Sequence, residues 1–147
     1  MIVISNSSPL IALGRIDSLN VLKELYGHIL IPDSVYQETV LETTIIDQKE
    51  NIAKAINDFI EVLTPITHHT FSRNLGKGER GVLNLALEKN PQIILMDDKK
   101  ARNEARELGF NPFFTTDILK KAEASKIIPS YEDILIKLFK IGIFLPE

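Results

Sequence analysis

The chain has 147 residues, 44% of them hydrophobic, with a formal net charge of −3 at neutral pH. That length and apolar content suit one ordinary domain with one sizeable core. The absence of cysteine excludes a disulfide framework and a thiolate metal site, and the acidic balance excludes a surface that is basic throughout and built to coat nucleic acid.

The first thirteen residues lack the basic start of a signal peptide, and Ser5-Asn6-Ser7-Ser8-Pro9 breaks their apolar run. No stretch approaches the roughly 18 apolar residues of a membrane span. The expectation is a cytoplasmic protein with no membrane partner. Residues 2–4 read as a first strand, and Pro9 suits the first turn of a short helix carrying Leu10, Ile11 and Leu13. A second helix covers residues 18–25. Residues 28–31 form a second strand stopped by Pro32, and Asp33 or Ser34 caps a helix carrying Val35, Glu38 and Leu41. Residues 48–60 read as an amphipathic helix with Ile52, Ala55, Ile56, Phe59 and Ile60 on one face. A third strand over 61–66 and a polar connection over 68–76 follow.

Leu83, Ala86 and Leu87 set the inward face of a helix over 79–87, and residues 93–96 form a fourth strand. A helix over 102–108 ends at Gly109. Residues 113–115 form a fifth strand, Thr116 or Asp117 starts another helix, and the last helix covers 131–140. The apolar tail Ile141-Gly142-Ile143-Phe144-Leu145 either completes the core or covers a second copy of the chain. There are no repeats and no low-complexity tracts, so the expectation is a single domain over residues 1–147. Strands alternating with helices predict a three-layer α/β/α sandwich with a mainly parallel sheet of about five strands. Right-handed crossovers bring the C-terminal strand ends to one edge, where ligands bind in such folds.

That edge collects acids. Ile93-Ile94-Leu95-Met96 runs straight into Asp97-Asp98, two carboxylates that repel unless a cation or bound protons offset them. Asn6 follows the first strand and is either an oxygen ligand or a helix cap. Glu38 lies three residues after Val35 and so points toward the sheet if Val35 is buried. Glu79 sits in Gly76-Lys77-Gly78-Glu79-Arg80-Gly81 at a helix opening, either as a functional acid or as a first-turn acid favoured by the helix dipole. Asp117 is either a ligand or an N-cap. Oxygen ligands from several segments, without cysteine or clustered histidine, suit Mg²⁺ or Mn²⁺. His28, His68 and His69 lack the spacing of a zinc site. Around the acids, residues 73–106 carry a local excess of basic side chains.

The motifs resemble those of PIN-domain proteins. Val3-Ile4-Ser5-Asn6-Ser7-Ser8-Pro9-Leu10-Ile11-Ala12-Leu13 resembles their opening segment, and Ile31-Pro32-Asp33-Ser34-Val35-Tyr36-Gln37-Glu38 their P-x-x-V-x-x-E segment. Gly78-Glu79 with Leu85-Ala86 resembles their G-E segment. Asp97-Asp98-Lys99-Lys100-Ala101-Arg102, followed by Ala105 and Leu108-Gly109, resembles their double-Asp segment. The combination is most similar to the toxin-like subfamily DUF3368 and spans nearly the whole chain. The resemblance implies a PIN-like fold and a Mg²⁺- or Mn²⁺-dependent single-stranded RNA endonuclease. It also implies the toxin of a toxin–antitoxin pair, partnered by a small antitoxin protein, and a homodimer.

By motif, Glu38, Glu79 and Asp98 match the family's acids, Asp97 is the subfamily's extra acid, and Asp117 matches a more variable position. Asn6 departs from the general pattern, which has Asp there; an amide oxygen can ligate Mg²⁺ but adds no charge. In the mechanism this implies, Glu38, Glu79 and Asp98 hold the metal, with Asn6, Asp97 and Asp117 completing the candidate ligand set. Ser7 positions water or ligands, and Lys77, Lys99 and Arg102 contact RNA phosphates. The alternatives are a catalytically weak or inactive module that binds RNA or a protein, and a metal-dependent phosphatase on a doubly wound sheet. A response-regulator receiver is disfavoured, because an acidic pair at the first strand and a separate phosphoacceptor Asp are both lacking.

Overall fold

Five strands of two to four residues carry the fold: β1 (Val3–Ser5), β2 (Ile29–Pro32), β3 (Ile60–Leu63), β4 (Ile93–Leu95) and β5 (Pro112–Phe113). The structure is a computed structural model and describes residues 1–147. All neighbouring strands run parallel, in the order β3-β2-β1-β4-β5. β1, β2 and β4 are buried at every residue, as expected of strands covered on both faces. Ile4, Ile31 and Ile94 are fully buried, each contributing about 1.5–3 kcal/mol of hydrophobic stabilisation. They belong to one continuous cluster of 34 buried apolar residues.

The helices are α1 (Ser7–Arg15), α2 (Asn20–Tyr26), α3 (Asp33–Tyr36), α4 (Ile46–Ile56), α5 (Lys77–Lys89), α6 (Lys99–Glu107), α7 (Thr115–Ala124) and α8 (Tyr131–Lys140). The chain moves from β1 outward to β2 and β3, then crosses back to β4 and β5. Right-handed crossovers in opposite directions place helices on both faces of the sheet. The strand order reverses between β1 and β4, and the crevice beyond their C-terminal ends is where open α/β sheets bind ligands. Register aligns those ends: Ser5 lies opposite Leu95, and the Asn6 amide donates to the Leu95 carbonyl at 2.9 Å.

Several elements differ from the sequence expectations. α4 ends at Ile56 rather than Ile60, because Ile60 pairs with Ile29 as the first residue of β3. Phe59 and Ile60 remain buried, so the helical apolar spacing ran on through the turn into the strand. Pro32 closes β2, opposite Leu63, instead of following it. Neither Asp33 nor Ser34 caps α3; Pro32 holds the N-cap position, and Asp33 lies in the first turn, where the helix dipole favours it. β5 is shorter than expected because α7 already starts at Thr115.

The connection from β3 to α5 is fastened by long-range polar contacts. Glu88 accepts from the Ile66 and Thr67 amides at 2.8 Å, and Asn84 Oδ1 accepts from the His69 amide at 2.9 Å. Glu104, buried on α6, accepts from Ser72 Oγ at 2.9 Å and from the Arg73 amide at 3.0 Å. In the C-terminal tail, Ile143 and Leu145 pack on the core, whereas Phe144 is exposed and meets the Phe139 ring edge-on at 5.1 Å.

Candidate active site

Asn6 occupies the N-cap position of α1 but makes no capping bond. Its side chain is buried, and Oδ1 has no hydrogen-bond partner. An orphaned buried acceptor costs about 1–3 kcal/mol and calls for a ligand, an ion or water. The cap reading of Asn6 therefore lacks its bond, and the oxygen is free for a ligand.

Glu38 reaches the same place by an irregular route. α3 passes into a π-helical turn at Gln37–Leu41, closed by the Glu42 amide donating to the Gln37 carbonyl at 2.8 Å. π turns are rare and recur at functional sites. This one carries Glu38, whose Oε2 accepts from Ser7 Oγ at 3.1 Å. Buried Gln48 braces the turn, its Nε2 donating to the Thr39 carbonyl at 3.0 Å. Burial pushes the Glu38 carboxyl above its ordinary range; the Ser7 bond opposes this, and Glu79 and Glu42 add to it.

Glu79 lies in the first turn of α5 and is half-buried. Its carboxylate folds back over Gly76, where an added Cβ would sit 3.0 Å from Oε2. Gly78 faces the other way: a Cβ there would lie 2.3 Å from Glu38 Oε1 and 3.3 Å from Asn6 Oδ1. The missing side chain is thus what lets α5 close on Asn6 and Glu38. Gly78→Ala is expected to displace Glu38 and abolish any activity that needs it, with divalent-ion stabilisation of the melting temperature lost in parallel. Undiminished ion stabilisation in a folded variant refutes this.

The remaining candidate acids are held apart from this group. No three of the Asp, Glu and His side chains gather as a metal cage. Asp97 is buried, and Thr115 occupies both its oxygens: the amide donates to Oδ1 and the hydroxyl to Oδ2, each at 2.7 Å. Burial pushes the Asp97 carboxyl up, opposed by those bonds and by Arg102. Asp98 is exposed and caps α6, its Oδ2 accepting from the Ala101 amide at 2.9 Å and Oδ1 remaining free. Asp117 is the third residue of α7, where it accepts from the Phe114 amide at 2.8 Å, a capping role.

Among the basic candidates, Lys77 is exposed and its Nζ donates to Gln37 Oε1 at 3.3 Å, next to Glu38. Lys99 is exposed at the start of α6. Arg102 is buried: its guanidinium lies 3.5 Å over the Phe114 ring and donates to the Met96 carbonyl at 3.3 Å. Its charge faces Asp97 and Asp117 rather than solvent. The three glycines clustered around Glu79 favour close approach of backbone or ligand, and Gly78 is the one that meets Asn6 and Glu38; Gln48 carries no such signal in the sequence.

Residues 2–147 match a family model described as DUF3368, PIN domain. The chain belongs to the PIN-domain family. Its members are generally nucleases that use divalent metal ions. The fold agrees with that of a PilT N-terminus domain protein from the hyperthermophilic archaeon Sulfolobus solfataricus P2. That match has a TM-score of 0.59 at 20% identity, over 83% of this chain and 93% of the other. No curated protein matches the sequence. No helix of this PIN domain is long and apolar enough to cross a membrane. The donor set suits the family's ion. Asn6 Oδ1, Glu38 and Glu79 are hard oxygen donors, and Mg²⁺ typically takes one or two carboxylates and fills the rest with water and phosphate oxygens.

Proposed function

We propose that this PIN domain is a Mg²⁺- or Mn²⁺-dependent endonuclease of single-stranded RNA and the toxin of a toxin–antitoxin pair. The observation that carries the reading is the unpartnered, buried Asn6 oxygen beside a carboxylate that is held up by burial and by a second acid. Asn6, Glu38 and Glu79 would hold the ion, and Asp98, which stands apart from them, would reach it only through water. A bound divalent ion polarises a phosphodiester and lowers the pKa of an attacking water. Ser7 fixes the Glu38 carboxylate through its hydroxyl. The π turn and Gln48 fix the backbone that carries Glu38, so that its oxygens need little reorganisation when substrate arrives. Asp97 and Asp117 organise the start of α7 and act through position rather than as ligands. Lys77 and Lys99 are free to meet phosphates. The small antitoxin is a partner by resemblance alone, whereas a homodimer draws support from the exposed apolar side chains of Ile136, Phe139 and Phe144.

Incubation of purified protein with a mixed single-stranded RNA pool tests the reading. Cutting is expected with Mg²⁺ or Mn²⁺, none in EDTA, and a loss of about 100-fold or more in Glu79→Gln. No cutting by folded protein in either metal refutes it. The second reading, a module that binds RNA or a protein without turnover, is favoured by Asn6 standing where the family pattern has Asp and by the lack of a three-acid cage. On that reading Asn6→Asp gains metal affinity and cleavage that the native chain lacks.

A further inference from the structure

A cavity of about 260 Å³ opens along the first turns of α5. Its walls include Ser34 after β2, His68 from the fastened connection, and Lys77, Arg80, Gly81 and Asn84 along α5. No hydrophobic residue lines it. A volume of that size holds several waters or one small solvated anion, water's share of the liquid being about 30 Å³.

Its chemistry is that of a donor site. Neither Lys77 nor Arg80 forms an ion pair with an acid. Arg80 is held in place by donating one guanidinium N–H to the Leu75 carbonyl. Asn84 spends its carbonyl oxygen on the His69 amide, which leaves its NH₂ group to donate. Asp33 is the one acid on the wall, so the two cations outnumber it. Ser34 adds a separate signal. It is only 7% exposed, and its hydroxyl has no hydrogen-bond partner. Gly81 leaves room for that hydroxyl, since a Cβ there would lie 2.2 Å from Oγ. A buried hydroxyl without a partner, just beneath the wall of a cation-bearing cavity, would be satisfied by an anion's acceptor oxygen once a small shift of that wall exposes it.

The cavity and the carboxylates share the first turns of α5. Gly78 faces Asn6 and Glu38, while Gly81, three residues or about 4.5 Å further along the axis, faces Ser34. We infer that this cavity binds a phosphodiester group of the RNA strand flanking the one presented to Asn6, Glu38 and Glu79. The assignment rests on the nuclease reading for the identity of the strand, but not for the anion site itself. Ser34, Lys77, Arg80 and Asn84 would hold the flanking phosphate and so set which bond of the strand reaches the acids.

The chain has three histidines, and two of them serve as reporter and control: His68 lines the cavity, and His28 pairs with Glu61 elsewhere. Protein in EDTA is titrated with inorganic phosphate and, separately, with a single-stranded oligoribonucleotide, following the histidine ring proton resonances by NMR. Both probes are expected to shift His68 and leave His28 in place. In fluorescence anisotropy, Arg80→Gln is expected to weaken oligonucleotide binding about fivefold or more. It should also reduce the slope of log K against log salt by about 0.7, the loss of one phosphate contact on a single strand. Ser34→Ala, which removes an unsatisfied hydroxyl and so should not unfold the protein, is expected to weaken binding about twofold or more. A His68 resonance unmoved by either probe overturns the site, as does unchanged affinity and salt slope in both folded variants. A shift with free phosphate but not with the oligonucleotide overturns its assignment to RNA. Cleavage of the RNA pool run in parallel separates the two claims: cutting with an unaffected salt slope overturns the flanking subsite alone, and an oligonucleotide-shifted His68 without cutting supports the subsite while overturning the nuclease.

Discussion

Glu38→Gln is expected to abolish metal-dependent RNA cleavage while raising the melting temperature of the ion-free protein at neutral pH. Both effects have one cause. The Glu38 carboxylate is partly buried and faces Glu79, so its folded pKa lies above the ordinary 4.5. A carboxyl raised in the folded state contributes its stability below its unfolded pKa and loses it as pH rises through the folded value. At neutral pH the native chain therefore carries a charge that the fold disfavours. The amide removes that charge yet still offers an oxygen to Ser7 Oγ and occupies nearly the same volume. The difference in melting temperature should be absent below about pH 4.5 and open as pH rises above it.

Divalent ion should reverse the order. The native chain gains stability from an ion that binds only the folded state, by RT ln(1 + [L]/Kd), and the variant gains much less. Cleavage should fall by about 100-fold or more, since a charged ligand is lost. Calorimetry at two pH values, with and without Mn²⁺, beside an RNA cleavage assay, checks all three parts. A variant that is no more stable than the native chain in EDTA at pH 7, or that responds equally to Mn²⁺, refutes the account.

Sequence patterns served best where the signal was local. The last helix is read at its observed bounds, Tyr131–Lys140, because apolar spacing, Ser130 at the cap and Gly142 beyond the end agree. The parallel five-stranded sheet followed from apolar runs too short to be helices alternating with helical periods. The helix ending at Ile56 was overrun because Phe59 and Ile60 keep to its apolar stripe even though they belong to the turn and to β3. The π turn at Gln37–Leu41 has no sequence signature of its own, since it changes hydrogen bonding without changing residue type. The connection before α5 read as a loose polar stretch because its anchors, Glu88, Asn84 and Glu104, lie 15 to 32 residues away.

Within the site the same division holds. That Asn6, Glu38 and Glu79 would lie near the strand ends was legible from their places after β1, after β2 and at the α5 start. How the acids divide their labour was not. Strand alternation has Asp97 and Asp98 point apart, with one of them able to cap the helix near Ala101, but it does not say which: Asp97 is buried against Thr115 and Asp98 caps α6 in the open. That partition depends on β5 delivering Thr115 beside β4, a long-range contact that no local spacing encodes.

The partition makes Asp97 a structural acid, and its removal is expected to produce the largest loss of stability among the site variants. Asp97→Ala deletes two 2.7 Å bonds and leaves the fully buried Thr115 amide without an acceptor. Losing those bonds costs about 3 kcal/mol, given 1–3 kcal/mol for each buried group left unsatisfied. For a chain of this size that lowers the melting temperature by about 10 °C. Asp97→Asn behaves differently. Its amide oxygen still accepts from the Thr115 N–H, its NH₂ can donate to the Thr115 hydroxyl, and it carries no charge to bury. The loss should be about 1 kcal/mol, most of it from Arg102 losing its facing carboxylate. Cleavage assayed well below both melting transitions decides between position and ligation. A positioning residue lets Asp97→Asn retain RNA cleavage within about tenfold of the native chain, whereas replacing a metal-bound carboxylate by an amide costs about 100-fold or more. An Asp97→Asn variant that is folded and stable but inactive, with divalent-ion stabilisation lost, would move Asp97 from the support of α7 into the metal site.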